Sequence, residues 1–100
     1  MEHYPKRHEL ISALSYTVTE RIIESSEQKC KTYHYQLNLY SNRIDTATYS
    51  FAIENVFDIS CKSFSGKYAI LYLHTNQGVW PFNIQTDPTS FIDDYKKLRS

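Results

Sequence analysis

A chain of 100 residues with 41% hydrophobic and 22% charged side chains is sized for one domain with its own core and is too apolar to stay unfolded. Formal net charge is zero, with acids and bases balanced in both halves, which argues against the concentrated basic surface that nonspecific nucleic-acid binding needs. Nine tyrosines, five phenylalanines and one tryptophan against only two glycines favour half-buried pleated strands whose turns draw on Asn, Asp and Ser.

The expected organisation is a single domain over 1–100, with a flexible leader at 1–9, antiparallel strands through 10–86 and a helix over 87–98. No apolar run reaches the length of a membrane span, and the N-terminus lacks the apolar centre of a secretory signal. Cys30 and Cys61 form no CxxC pair, which suits free thiols in a reducing compartment and makes the cytoplasm the expected location.

Leu10 to Glu24 carries two periods. Leu10, Leu14, Val18 and Ile22 recur as on a helix, whereas Leu14, Tyr16, Val18, Glu20 and Ile22 alternate as on a strand. Tyr16-Thr17-Val18-Thr19 tips the balance to strand from about Ala13. Ser25 to Lys29 reads as a turn. Lys31 to Tyr40 alternates, with Tyr33, Tyr35, Leu37 and Leu39 on one face and His34, Gln36 and Asn38 on the other, the pattern of an antiparallel strand with one wet face. Ser41-Asn42-Arg43 turns the chain into a strand from Ile44 to Phe51.

Glu54 to Cys61 makes a further short strand with Phe57, Ile59 and Cys61 on one side and Val56 on the other. Lys62 to Gly66 reads as a loop. Lys67 to Thr75 sets Ala69, Leu71 and Leu73 against Tyr68, Ile70 and Tyr72. Asn76-Gln77-Gly78 is then expected to be a three-residue hairpin loop with a bulge, the glycine taking positive φ. Val79 to Gln85 turns Trp80, Phe82 and Ile84 inward. Pro81, lacking a ladder donor, predicts an edge or a bulge there. Asp87-Pro88 starts a helix whose Phe91, Ile92, Tyr95 and Leu98 form one apolar stripe, with Lys96, Lys97 and Arg99 at its negative end.

Six strand candidates and a terminal amphipathic helix predict a mainly β protein: a strongly bent antiparallel sheet or barrel. Two runs carry a more specific likeness. Tyr35-Gln36-Leu37-Asn38-Leu39-Tyr40-Ser41-Asn42-Arg43-Ile44 ends a strand and opens the next on an Arg-Ile pair. Tyr49-Ser50-Phe51-Ala52-Ile53-Glu54-Asn55-Val56-Phe57-Asp58-Ile59 carries an I-E-x-V-x-x-I segment. Together they resemble small bacterial members of the pleckstrin-homology-like (PH-like) family over roughly residues 13–98. The resemblance implies a bent barrel plugged by its last helix, and seven strands where six are read here.

No catalytic constellation emerges. His3, His8, His34 and His74 lack the spacing of metal ligands. Cys30 or Cys61 with His34 or His74 lacks an identifiable oxyanion donor, and two glycines write no phosphate loop. The expectation is a protein that is not an enzyme and has no cofactor and no metal. A partner surface is expected at Phe64, Tyr68, Ile70 and Tyr72, an apolar stripe exposed if Ala69, Leu71 and Leu73 face the core. Tyr33, Tyr35 and Tyr49 are expected in the core by parity. The preferred reading is a noncatalytic binding or regulatory module for a protein partner or for itself. The alternative is a small-ligand or lipid-headgroup binder using Arg21, Lys29 and Lys31 at the open end of the barrel, with a membrane surface the weaker partner.

Overall fold

A computed structural model describes residues 9–65 and 68–99, apart from the side chains of Phe64 and Ser65. Except for Glu9, the expected leader lies outside the described residues. The elements are β1 (Leu10–Glu24), β2 (Glu27–Tyr40), β3 (Arg43–Asp45), β4 (Ser50–Ala52), a 3-10 turn (Ile53–Asn55), β5 (Val56–Ser65), β6 (Tyr68–Thr75), β7 (Gly78–Ile84) and α1 (Thr89–Arg99). The chain is mainly β: seven antiparallel strands make one strongly bent sheet in the order β4-β3-β2-β1-β7-β6-β5, with β4 and β5 at its open ends.

The ambiguous first segment is strand throughout, because its alternation continues the β2 pattern across a ladder running from Leu10↔Tyr40 to Glu24↔Glu27. The turn shrinks to Ser25-Ser26, both at positive φ (44° and 70°), as a two-residue hairpin matched to strand twist requires. What reads as one strand from Ile44 to Phe51 is two short ones. Arg43 Nε lies 3.1 Å from both Asp45 carboxylate oxygens, and Ser50 Oγ donates to Asp45 Oδ1 at 2.6 Å, so β3 and β4 are tied through their polar edge. This pair is the seventh-strand count absent from the sequence reading.

β5 starts later and runs longer than expected, to Ser65. A register shift between Val56 and Asp58 reverses the expected sides. Val56 and Ile59 are both buried, while Phe57 bulges out at 58% exposure. An extra residue in one strand flips the parity of whatever precedes it. The β6–β7 hairpin also differs from expectation: its register runs unbroken from Ala69↔Ile84 to Thr75↔Gly78, so the loop is Asn76-Gln77 and carries no bulge. Gly78 does take the positive φ foreseen, 111°, and Thr75 Oγ1 clamps the loop by donating to the Gly78 carbonyl and accepting from Gln77 N–H.

Leu14, Tyr16, Leu37, Leu39, Ile44, Phe51, Val56, Ile59, Leu71, Leu73, Phe82 and Ile84 line the inner face of the sheet, and Phe91 and Tyr95 of α1 close it. The Tyr95 hydroxyl donates to the Val56 carbonyl at 2.6 Å, which anchors the helix to the start of β5. Burial and, to a lesser degree, nearby Asp58 push the Tyr95 hydroxyl's pKa up, against the opposing pull of Arg99. Asp87 caps α1 from one residue earlier than expected: its Oδ1 accepts from Thr89 N–H at 3.0 Å, while Pro88 supplies the carbonyl for the first helical bond, from Ile92. The Thr89 hydroxyl and N–H bonds hold the Asp87 carboxyl below its ordinary pKa.

Candidate functional site: a projecting arm and an aromatic wedge

No buried apolar residue of the core falls between Val18 and Gln36. The outer halves of β1 and β2 therefore leave the body as a two-stranded arm, and the molecule measures 61 × 33 × 24 Å. Seven residues on each side of the Ser25-Ser26 turn project roughly 20 Å at the usual strand rise. Such an isolated hairpin has little intrinsic stability in water.

The side of β1 that faces β7 is paired at one point only, Thr17↔Asn83. Beyond it the two strands part. Backbone direction along both edges follows from local chemistry. The two-residue turn makes Glu24↔Glu27 a hydrogen-bonded pair, and alternation then points the N–H and C=O of Thr19, Arg21 and Ile23 away from β2. On β7, Pro81 sits opposite Tyr72. With no N–H it fits a pair whose β7 backbone turns away from β6. Pro81 thus lies on an edge in the local sense foreseen, although β7 is not a terminal strand of the sheet.

A groove of about 350 Å³ occupies the wedge, lined by Tyr16, Thr17, Val18 and Thr19 of β1, by Trp80 to Asn83 of β7, and by Thr46, Thr48 and Tyr49 of the β3–β4 loop. Its aromatic walls interlock. Tyr49 and Phe51 meet Trp80 at 4.8 and 5.3 Å between ring centroids, and Tyr16 meets Phe82 edge-on at 4.9 Å. The Tyr16 hydroxyl accepts from Ala47 N–H at 3.0 Å, which fastens the β3–β4 loop as the groove's third side. None of these lining residues carries a charge.

From Tyr16 the aromatic line runs out along the arm: Tyr16–Tyr35 at 5.7 Å, then Tyr35–Tyr33 stacked at 6.4 Å. Tyr35 and Tyr49 are exposed and Tyr33 is only partly buried, which corrects their expected place in the core. Tyr33 and Tyr35 keep inward parity, yet the body ends before the alternation of β2 does, and Tyr49 falls in the β3–β4 loop rather than on a strand.

The other expected sites are distributed as follows. Arg21, opposite Cys30, lies on one face of the arm; Lys29 and Lys31, opposite Ile22 and Glu20, lie on the other. The structure therefore does not gather the three cations around one anion-sized space. On β6, Leu71 and Leu73 are fully buried. Tyr68, Ile70 and Tyr72 consequently share the outer face, Tyr68 at 54% exposure and the other two half-buried. Val79 and Pro81 of β7 extend that face beside them, opposite His74 and Tyr72. The Phe64 side chain lies outside the described residues.

Cys61 faces inward opposite Leu71, and His74 faces outward, so no cysteine–histidine pair forms there. Burial, and next the Asp87 carboxylate, raise the Cys61 pKa and keep the thiol protonated. Cys30 and His34 both stand on the arm four residues apart along β2, too far for a hydrogen bond. Sequence reading missed Ser60 Oγ, 2.8 Å from His74 Nε2. That distance suits a nucleophile and its base; the pair is part-buried on the outer face of β5–β6.

Among the described residues no helix is long and apolar enough to cross a membrane. No protein-family model, curated protein or solved structure matches the chain.

Proposed function

We propose that this chain is a noncatalytic protein-interaction module that takes up an extended polypeptide as an added strand along β1. The observation that supports this reading is the open wedge. A 15-residue strand meets β7 at the single pair Thr17↔Asn83; beyond it Thr19 lines an aromatic groove, and the outward backbone groups of Arg21 and Ile23 continue the same open edge along the arm. Strand addition draws affinity from such edge hydrogen bonds and selectivity from pockets that take every second side chain. The uncharged lining suits a segment with apolar residues at alternate positions. The PH-like resemblance belongs to the same proposal.

Panning a library of displayed twelve-residue peptides, followed by amide-exchange mapping of the selected peptide, tests the reading. Protection is expected at Thr19, Arg21 and Ile23, with binding lost in Arg21→Pro, which removes an outward donor from an edge position. Selected peptides that protect only the outer face of β5–β7 would sink it and favour Tyr68, Ile70 and Tyr72 as the contact surface. The headgroup alternative draws its support from Arg21, Lys29 and Lys31 alone, and the split of those cations over two faces favours it less.

A further inference from the structure

The second edge of the arm has a different character. β2 meets β3 only at Asn38↔Asp45 and Leu39↔Ile44, so among the described residues none pairs with its outward side from Glu27 to Leu37. By the alternation that starts at Glu24↔Glu27, the residues whose N–H and C=O face outward are Gln28, Cys30, Thr32, His34 and Gln36. Unpaired edges of this length are templates for another chain, and proteins usually blunt them. This one carries no proline and no bulge between Glu27 and Leu37; its blunting charges are Lys29 and Lys31, which any paired register has to accommodate.

We infer that the occupant of this edge is a second copy of the same chain, paired antiparallel about a twofold axis at Thr32. A twofold normal to the sheet keeps each residue on its own face and requires outward residues to meet outward residues. Only a few registers satisfy this. An axis at Cys30 sets Lys29 against Lys31 twice, and an axis at Lys31 sets that lysine against itself. An axis at Tyr33 drives Lys29 against Leu37, into the foot of the arm where β3 begins.

The axis at Thr32 avoids all three conflicts. On the inner face Lys31 meets Tyr33 of the second copy, and Lys29 meets its Tyr35, each ammonium beside a ring that keeps part of its surface exposed and so is able to receive it. On the outer face Gln28 meets Gln36, Cys30 meets His34, and Thr32 meets itself, all polar pairs able to hydrogen-bond. The paired stretch ends at Gln36, short of the Asn38↔Asp45 contact. Five outward residues per copy, bonded in both directions, make about ten hydrogen bonds, the number found in an ordinary protein interface.

The β1 edge offers no comparable register. An axis at Glu20 or Arg21 sets that charge against its own copy, and an axis at Ile22 sets Glu20 against Glu24, which are destabilising placements across a sheet. An axis at Thr19 needs Thr17, already paired with Asn83, and an axis at Ile23 sets Arg21 against Ser25 of the turn, leaving too short a stretch to pair. Self-association thus belongs to β2, and the β1 wedge stays open for a different partner. The product is a four-stranded sheet made from two arms, which supplies each hairpin with the further strand it lacks alone.

Light scattering and sedimentation of the full chain over a range of concentrations test the inference. A dimer is expected, with Tyr33→Lys weakening it at least tenfold by placing two ammonium groups opposite each other on both sides of the axis. The double variant Lys31→Tyr with Tyr33→Lys restores the opposed lysine and ring, and should recover the dimer to within about threefold. In a Cys30→Ser background, mild oxidation of Thr32→Cys should join two copies through position 32, since hydrogen-bonded antiparallel partners have about the Cα spacing a disulfide needs. A chain that stays monomeric at the highest concentrations overturns the inference. So does a dimer that is indifferent to Tyr33→Lys while circular dichroism shows the fold intact. Arg21→Pro should leave the dimer unchanged, which separates this surface from the peptide wedge.

Discussion

Ser25 and Ser26 both hold the left-handed backbone region without being glycine. A side chain there costs on the order of 1–2 kcal/mol per residue, and Asn and Gly are the residues that tolerate it best. Ser25→Asn with Ser26→Gly should raise stability by about 1 kcal/mol, read as a higher urea midpoint at unchanged slope. Tyr95 makes the opposite case. Its hydroxyl satisfies the Val56 carbonyl inside the core, so Tyr95→Phe should cost about 1–3 kcal/mol through the orphaned acceptor. Because the folded pKa of Tyr95 is raised, its contribution is complete below the unfolded value near 10 and fades as pH climbs through the folded value. Tyr95→Phe should therefore flatten the alkaline decline of the melting temperature.

At the scale of elements, the terminal helix was the most readable part. Its stripe of Phe91, Ile92, Tyr95 and Leu98 packs as the period demands, with Phe91 and Tyr95 buried and Ile92 and Leu98 packed at the margin. Phe91→Ala should cost about 3–5 kcal/mol, a large part of what a domain of this size has in reserve, and should lower the urea midpoint accordingly. On β6 the structure decided which set faces inward, burying Leu71 and Leu73 and leaving Tyr68, Ile70 and Tyr72 outward; the two alternating sets themselves were legible. Val56 and Phe57 were not. A one-residue bulge leaves no mark in the hydrophobic pattern, so strict alternation assigns both to the wrong side. Pro81 announced a missing ladder partner without saying on which side, and the answer depended on how β1 approaches β7.

For the whole molecule, the radius of gyration of 16.1 Å exceeds the roughly 13 Å of a compact 100-residue domain, and the arm is the cause. Joining Val18 directly to Tyr33 through an Asn-Gly turn removes no core residue. The shortened chain should keep a cooperative thermal transition, lose the dimer and shrink in sedimentation. A collapse of the transition would instead show that the arm contributes to the body's stability. Shortening would also remove Thr19, Arg21 and Ile23, the β1 backbone groups open to an added strand, so peptide uptake should disappear with the dimer, whereas Thr32→Pro should abolish the dimer alone.

By itself the sequence determined what is local or periodic: strand-forming composition, the inward sets of β2 and β7, the two alternating sets of β6, a positive-φ glycine at position 78, and an amphipathic closing helix. Each of these depends on side-chain alternation or on the backbone preference of one residue. Only the tertiary structure decided where the body stops beneath β1 and β2, and hence that Tyr33 and Tyr35 lie outside the core, and it set Tyr49 in the β3–β4 loop, where it is exposed. Alternation records which face a residue takes, whereas burial depends on whether another strand or helix reaches that far. The arm, its two open edges and the aromatic wedge all arise from that difference.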